Sequence, residues 1–192
     1  MMIEIVPATA ERWGDLERLF GPRGACAGCW CMYWRLSRKE FERQRGAGTR
    51  AALKALVEAG HEPGLLAYVV EDEGREPAGW CALAQREQYP TLERSRVLKR
   101  LDDEPVWSVS CFFVARRYRR QGLTVALLKA AVDYARQHGA RIVEGYPVEP
   151  KTTDISAPSA YTGLVSAFRQ AGFREAGRHS PTRPIMRYYL HA

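Results

Sequence analysis

The sequence predicts an α+β fold built on a mixed β-sheet. The elements run strand, helices, three strands, helix, strand, helix, strand, whereas strict alternation would indicate a doubly wound parallel sheet. The segment "EPVWSVSCFFVA" is β-branched and aromatic almost throughout, which is typical of a central strand covered on both faces. The clearest helix, "LTVALLKAAVDYARQH", follows it and ends at His138 and Gly139. At 192 residues the chain fits one domain, residues 1–192.

The N-terminal part is predicted to hold one strand and two helices. "MIEIVPAT" alternates like a short strand, which Pro7 ends. Thr9 is expected to cap a first helix through "AERWGDLERLF", whose apolar residues fall on one face. Arg50 to Ala59 has the pattern of a second helix, which Gly60 ends.

The later part is predicted to complete the sheet. "GLLAYVVEDEG" and "EPAGWCALAQREQY" flank an acidic turn and predict an antiparallel hairpin. "ARIVEGYPV" is a further strand, and "YTGLVSAFRQAGF" is a helix that ends at Gly172. Residues 149–160 form a Pro/Ser/Thr loop about twice as long as a typical connection. The last strand, "PIMRYYL", either completes the sheet or pairs across a homodimer.

Composition and charge narrow the classes of function. No apolar run approaches the roughly 20 residues of a membrane helix, and the N-terminus lacks the features of a signal peptide. We therefore expect a cytoplasmic protein with reduced thiols and no membrane partner. The net charge of +7 suits either nucleic acid or an anionic cofactor. Its sharpest cluster, "ARRYRRQG", directly precedes an apolar helix, which favours a phosphate site over a nucleic-acid surface.

That basic cluster occupies the turn between the central strand and the helix. The strand ends at Val114 and the helix opens near Gly122, so free backbone N–H groups and the positive end of a helix dipole meet at one point. Such a point binds a pyrophosphate, and Gly122 lets the backbone approach closely. Arg119 and Arg120 can add charge-assisted hydrogen bonds. The alternative is a tight basic turn with a solvated face.

The same stretch, "FFVARRYRRQGLTVALL", resembles the acetyl-coenzyme A motif of the GNAT superfamily of N-acetyltransferases. Arg119, Gly122 and Thr124 occupy the positions of its Arg/Gln-x-x-Gly-x-Gly/Ala pattern, with Thr124 as a departure. "FRQAGF" resembles the Tyr-x-x-x-Gly-Phe signature late in these enzymes, and "CWCMYWR" resembles a subgroup with an unidentified acceptor. The resemblance implies a GNAT-like mixed, mostly antiparallel central sheet with splayed fourth and fifth strands, flanked by helices.

The resemblance also implies an activity and a coenzyme site. The activity is transfer of an acetyl or short acyl group from acetyl-CoA directly to an amine, without a metal. Backbone groups of Phe112, Phe113 and Val114 would hold the pantetheine arm, and the turn would wrap the pyrophosphate. The turn residues are Arg119, Arg120, Gln121, Gly122, Leu123, Thr124 and Val125. A non-enzymatic acyl-CoA-binding module is the alternative.

Three residues are candidates for acid–base catalysis. Glu144 matches the position where some family members carry a base, although it can equally be a solvated or ion-paired strand residue. The usual acid, a tyrosine, is replaced here by Phe168, and a phenyl ring donates no proton. Tyr161 and Tyr146 are the candidate substitutes. Each can also be a packed aromatic residue with a satisfied hydroxyl.

The segment "ACAGCWCMYW" carries three of the five cysteines, Cys26, Cys29 and Cys31. Three thiols fall one short of a closed tetrahedral zinc site, and the second half of a zinc ribbon is absent. In GNAT folds this segment borders the acceptor site, which implies an aromatic wall of substrate-binding residues, Trp30, Tyr33 and Trp34. Plain core packing, a metal or redox role, and a zinc-dependent nucleic-acid binder are the other interpretations.

Overall fold

A computed structural model describes residues 2–72, 74–150 and 160–190. Seven strands form one sheet in the order β1-β2-β3-β4-β5-β7-β6. Neighbouring strands are antiparallel except β4 and β5, which are parallel. The strands are β1 (Met2–Pro7), β2 (Gly64–Glu71), β3 (Gly74–Gln85), β4 (Trp107–Val114), β5 (Ile142–Gly145), β6 (Arg174–Arg178) and β7 (Pro184–Tyr189).

Six α-helices flank the sheet in the described ranges. None of them combines the length and the apolar character that a membrane span requires. Their bounds are α1 (Trp13–Phe20), α2 (Arg38–Gln44), α3 (Ala47–Glu58), α4 (Pro90–Glu93), α5 (Leu123–Gln137) and α6 (Val165–Gln170).

Both faces of the sheet are buried. On one face α5 packs with Leu127 and Ala131 against apolar residues of β2, β3 and β4. On the other face α1 and α3 pack against Trp80 of β3 and Cys111 of β4. Strand β4 therefore lies in the middle of the sheet and is covered on both faces, which confirms the prediction from its apolar composition.

Strands β4 and β5 separate partway along their length. Their pairing ends at Val109 and Gly145, although β4 continues to Val114. The register of β4 against β3 shifts at the same place, because Cys111 and Val109 face successive residues of β3 and Ser110 is an extra residue between them. Such a bulge bends and twists a strand. The expected splay of the fourth and fifth strands is thus present.

Two N-terminal expectations are wrong in detail. Thr9 does not cap the first helix: no backbone N–H group bonds to its side chain, and its hydroxyl accepts a hydrogen bond from the Arg12 guanidinium instead. A short 3₁₀ turn precedes α1. The second predicted helix, from Arg50, begins earlier, at Ala47. Helix α2 was not predicted, although its start carries a capping box in which Ser37 and Glu40 each bond to the other's backbone.

The C-terminal part also differs from expectation. The helix predicted from Tyr161 begins only at Val165, because Tyr161 and Thr162 form a turn and Leu164 is extended and bridges Val148. Strand β6 was not predicted, since "REAGR" is polar and exposed at the sheet edge. Strand β7 pairs with both β5 and β6 and so completes the sheet. Most of the Pro/Ser/Thr loop, residues 151–159, lies outside the described residues.

The end of the β4–β5 pairing has no room for a side chain at Gly145. A Cβ atom there would stand 2.2 Å from Phe168 Cε1, and the Phe168 ring is fully buried. We expect Gly145→Ala to lower the free energy of unfolding by about 1–3 kcal/mol, because the packed ring must move. Urea denaturation would measure this change.

Gly14→Ala is the matched control for that substitution. Gly14 lies in α1 with no atom within 4 Å of its would-be Cβ. Alanine there should leave stability unchanged or raise it by up to about 1 kcal/mol. A Gly145→Ala protein as stable as wild type would contradict the tight packing at this junction.

Candidate active site

The turn after β4 has the geometry of an anion site. Gly122 has a φ of 83° and Arg120 a φ of 61°, both in the left-handed region. Helix α5 then begins at Leu123, and the first N–H groups of a helix have no partner within it. The space beside Gly122 is open, with no atom within 4 Å of a would-be Cβ. The turn therefore presents backbone donors to a site that a phosphate group can enter.

Two side-chain hydrogen bonds brace this turn. The Nε atom of Arg119 donates to the Val114 carbonyl at 3.0 Å, and the Gln121 amide donates to the Arg117 carbonyl at 2.8 Å. Arg120 is exposed, as are Arg119 and Gln121. The predicted residues Leu123, Thr124 and Val125 form the first turn of α5, with Leu123 buried and the other two half-buried.

Beyond the bulge, the edge of β4 that faces β5 has no strand partner in the described ranges. The Phe112 N–H donates to the Tyr161 carbonyl at 2.6 Å, and the Val114 carbonyl accepts the bond from Arg119. Since the N–H and C=O groups of one strand residue point to the same edge, the Phe112 carbonyl and the Val114 N–H also face the gap. Phe113 alternates with them and pairs with Trp80 of β3.

Tyr161 lies beside this gap. Its ring stacks on that of Trp34, with centroids 6.5 Å apart and planes at 21°. Burial raises the pKa of its hydroxyl, and the neighbouring Cys111 adds to that rise while Arg183 opposes it. The side chain is half-buried, and in the described ranges its hydroxyl makes no hydrogen bond. Tyr161 therefore keeps its proton at neutral pH, and none of the described residues accepts it.

The three aromatic residues predicted to form an acceptor wall separate into two places. Trp34 contacts both Tyr161 and Tyr33, whose ring meets it edge-on at 4.8 Å. Tyr33 is 40% exposed. Trp30 instead lies in the core, stacked on Trp13 and in edge contact with Phe20. Tyr33 and Trp34 thus border the gap, while Trp30 supports the segment from beneath.

The cysteine segment follows a tightly coiled path. Ala25, Ala27, Trp30 and Cys31 all have positive φ angles between 45° and 68°, an unfavourable conformation for these residues. Gly24 packs directly under the Trp30 ring, where a would-be Cβ would stand 2.1 Å from the indole nitrogen. The path is held by packing against the core, and it turns Tyr33 and Trp34 toward Tyr161.

The thiols of this segment do not converge on one point. Cys26 is exposed, whereas the Cys31 sulfur lies 3.2 Å from that of Cys111 on β4. Burial raises the pKa of Cys29 to about 12, so this thiol is protonated and unreactive at neutral pH. Among the described residues, no group of three or more His, Cys, Asp or Glu side chains could hold a metal.

Glu144 is buried in a network of charged groups. Its Oε1 atom accepts hydrogen bonds from Arg86 at 2.9 Å and from the Tyr146 hydroxyl at 2.8 Å. Its Oε2 atom accepts from Arg187 at 2.7 Å, and Arg187 also binds Asp102 with both terminal nitrogens. The carboxylate is 1% exposed. Both oxygens are therefore engaged by groups of the protein.

Tyr146 belongs to the same network. Because a carboxylate only accepts, the single Tyr146 proton goes to Glu144, and the hydroxyl accepts from Arg86 at 2.6 Å and from Ser108 at 2.7 Å. Burial raises the pKa of Tyr146 well above its usual range. This tyrosine has no proton free for a substrate.

Sequence reasoning missed the arginines that complete these arrangements. Arg86 and Arg187 neutralise Glu144, and Arg183 bonds to Thr162, the residue after Tyr161. The position of Arg187 carried a signal, because a charged residue within the apolar strand "PIMRYYL" implies a buried partner. Arg86 directly follows β3 and Arg183 directly precedes β7, and nothing in their local sequence distinguishes them from surface arginines.

Replacement of Glu144 distinguishes a structural role of its carboxylate from a catalytic one. Glu144→Gln leaves two buried guanidinium groups without their shared counter-charge, so we expect a loss of about 3–5 kcal/mol in the free energy of unfolding. Denaturant unfolding measures the loss.

The control is Glu58→Gln, which removes an exposed partner of Lys54 and should change stability by less than about 0.5 kcal/mol. A Glu144→Gln protein of unchanged stability that has lost acetyl transfer would contradict the structural role.

The chain resembles known proteins in both sequence and fold. The sequence profile described as "Acetyltransferase (GNAT) family" matches residues 30–150. No curated protein sequence matches the chain. Several solved structures share the fold at low identity.

Three of these structures have TM-scores of 0.54–0.56 at identities of 11–16%. A histone acetyltransferase HPA2 and related acetyltransferase from Corynebacterium glutamicum has a TM-score of 0.56 at 16% identity, covering 100% of this chain and 98% of that one. PaiA N-acetyltransferase from Thermoplasma acidophilum, in complex with coenzyme A, has a TM-score of 0.54 at 15% identity, covering 99% and 100%. Ribosomal-protein-S5-alanine acetyltransferase from Vibrio fischeri has a TM-score of 0.54 at 11% identity, covering 98% and 93%.

The splay of β4 and β5, the turn between β4 and α5, and the match of the sequence profile to more than half of the sequence all indicate the same family. The chain belongs to the GNAT family of acetyltransferases.

Proposed function

We propose that this protein is an N-acetyltransferase that moves the acetyl group of acetyl-CoA, or another short acyl group, directly to an amine. One observation carries the proposal: the open edge of β4 leads from the turn before α5 to the Tyr161 hydroxyl, which bonds to none of the described residues. The groups that would bind the coenzyme, position its thioester and donate a proton thereby lie along or against β4.

The described residues fit the coenzyme along its length. The backbone donors at the start of α5 and the exposed Arg119 and Arg120 suit its pyrophosphate. The Phe112 carbonyl and the Val114 N–H suit the amide groups of its pantetheine arm, in the manner of an added strand. Acetyl-CoA supplies the thioester, which on this path reaches the gap near Cys111 and Tyr161.

Tyr161 supplies the proton that the reaction needs at sulfur. The amine nitrogen bonds to the acetyl carbonyl carbon, the carbon–sulfur bond breaks, and the departing sulfur takes the Tyr161 proton. The proton released by the amine passes to water, and Tyr161 regains a proton from water once the thiol has formed. The tyrosine is thus placed on the segment before α6, whereas the family's usual position holds the buried Phe168.

In this proposal Glu144 holds strand β5 in place and takes no part in proton transfer. Its two oxygens already accept three hydrogen bonds, and its side chain is closed to solvent. A base must reach the amine proton directly or through one water. The network instead fixes β5, one wall of the gap, while Tyr33 and Trp34 form an aromatic border for the acceptor.

The wider setting is part of the proposal. Five free cysteines are consistent with a reducing, cytoplasmic location. We propose no nucleic-acid or membrane partner, and the homodimer suggested by the sequence stays a prediction.

Coenzyme binding can be tested at Gly122. Acetyl-CoA at 100 times its dissociation constant should stabilise the wild type by about 2.7 kcal/mol, seen as a rise in Tm. Gly122→Val places a β-branched side chain at a φ of 83°, in the space that a phosphate would fill, so we expect this rise to disappear.

Gly139→Val is the control at the other end of α5, where φ is 76° and the space is also open. Both variants should lose stability through backbone strain of about 1–2 kcal/mol. Only Gly122→Val should lose the response to acetyl-CoA. An equal response in both variants would contradict the assignment of the turn.

The role of Tyr161 can be tested by Tyr161→Phe. Loss of a general acid should lower kcat by about 10²-fold or more with little change in KM for acetyl-CoA. Because the pKa of Tyr161 is raised, its proton stays bound as the pH rises, so wild-type kcat should show no fall near pH 10, where an ordinary tyrosine ionises.

Tyr188→Phe is the control, since Tyr188 is half-buried on the opposite face of the sheet. Full activity of Tyr161→Phe would contradict the proposed acid. Binding of acetyl-CoA without turnover of any amine would favour the alternative, a non-enzymatic acyl-CoA-binding module.

A further inference from the structure

We propose that Arg183 binds an anionic group of the acceptor, so that the acceptor class is a compact amine that also carries a carboxylate, as a free amino acid does. This inference rests on the proposed function and concerns the same site. It is carried by the bonding of Arg183, its surroundings and its link to Thr162, the residue after Tyr161.

Arg183 is poorly bonded for a guanidinium in the interior. It precedes β7 and is half-buried. One nitrogen, Nη2, makes both of its hydrogen bonds in the described ranges, to the Tyr146 carbonyl at 3.2 Å and the Thr162 hydroxyl at 3.3 Å. The Nε atom is buried and has no partner there. A guanidinium carries five N–H donors, so most of those of Arg183 bond to none of the described residues.

The charge of Arg183 is also uncompensated among the described residues. Burial lowers the pKa of this arginine, which shows that its environment disfavours the positive charge. The neighbouring arginines are different: Arg178 pairs with Glu149 and Glu175, and Arg187 with Asp102 and Glu144. A desolvated cation without a counter-ion is unfavourable, and a bound anion would relieve that cost.

The position of Arg183 limits what that anion belongs to. Arg183 donates to the Thr162 hydroxyl, and the carbonyl of the preceding residue, Tyr161, accepts from Phe112 of β4, so the cation and the splayed strand are both joined to one short segment. An acceptor whose carboxylate meets Arg183 therefore brings its amine to the thioester only if the two groups are a few bonds apart. The ring of Trp34, stacked on Tyr161, closes the site beside them.

Two other roles are distinguishable. If Arg183 only links Tyr146 to Thr162, its replacement would lower the free energy of unfolding without changing the choice of acceptor. An arginine that stabilises the departing thiolate would affect all acceptors equally, since the leaving group is the same for each.

The experiment compares free amino acids with their carboxamides as acceptors, using full-length protein and acetyl-CoA. Each pair has the same side chain and the same reacting amine, and only the carboxylate differs. We expect the wild type to favour the acid of at least one pair by about 10- to 100-fold in kcat/KM, the range of a charge-assisted bond. This comparison needs no variant.

Arg183→Gln should remove that preference by raising KM for the acid, while kcat/KM for the carboxamide changes little. Arg183→Lys, which keeps the charge, should restore part of it. Arg174→Gln, at an exposed arginine of β6, is the control and should retain the full preference. The rise in Tm with acetyl-CoA should be the same in all four proteins.

Three results would overturn the inference. Equal turnover of acids and carboxamides by the wild type would remove the carboxylate requirement and leave the proposed function intact. An equal loss of kcat on both members of each pair in Arg183→Gln would assign Arg183 to the leaving group. Binding of acetyl-CoA with no turnover across this panel would overturn the acceptor class alone, because the proposed function falls only if no other amine is turned over either.

Discussion

The buried carboxylate of Glu144 joins more of the fold than any other single group described above. Through Arg86 it connects β5 to the residues after β3, through Tyr146 to Ser108 of β4, and through Arg187 to β7 and Asp102. A charge in the interior is tolerated only when its hydrogen bonds are complete. These partners must therefore stay together, and the paired stretches of β4 (107–109) and β5 (143–145) are fixed in register.

The open part of the sheet depends on that closed part. Strand β5 is held tightly up to Gly145, and β4 bends away at the Ser110 bulge, so the two strands separate at a defined point. The backbone of Tyr161 then approaches the free edge of β4 at Phe112, and Phe168 fills the space beneath. The gap thus has rigid walls, and the groups proposed to act in it project from supported backbone.

Local sequence was sufficient for the features that local physics determines. The apolar character of β4 and the length and composition of α5 predicted both elements and their order, and both are present. The anion site expected from the glycine and arginines between them stays a prediction. The splay and the coenzyme contacts came from the family resemblance. Polar "REAGR" gave no strand signal because β6 is held by pairing with β7 at the sheet edge rather than by its own pattern.

The candidate catalytic residues show where local sequence stops. Local sequence did not separate a catalytic from a structural role for Glu144, the candidate base, or for Tyr146 and Tyr161, the candidate acids, because their partners lie elsewhere along the chain. Arg86 lies 58 residues from Glu144 and engages it, whereas nothing in the described ranges bonds to the Tyr161 hydroxyl. Trp30 and Trp34 likewise differ only through tertiary packing: one lies against Trp13 and the other against Tyr161.

The central claim is that the coenzyme thiol lies in the gap between β4 and β5 with the Tyr161 hydroxyl as its proton donor. A crystal structure of the complex with coenzyme A tests it most directly. The account predicts the pyrophosphate at the start of α5 and the sulfur within hydrogen-bonding distance of the Tyr161 hydroxyl, with Glu144 still bound to Arg86 and Arg187. A sulfur atom outside the gap, or one that contacts Glu144 instead of Tyr161, would contradict it.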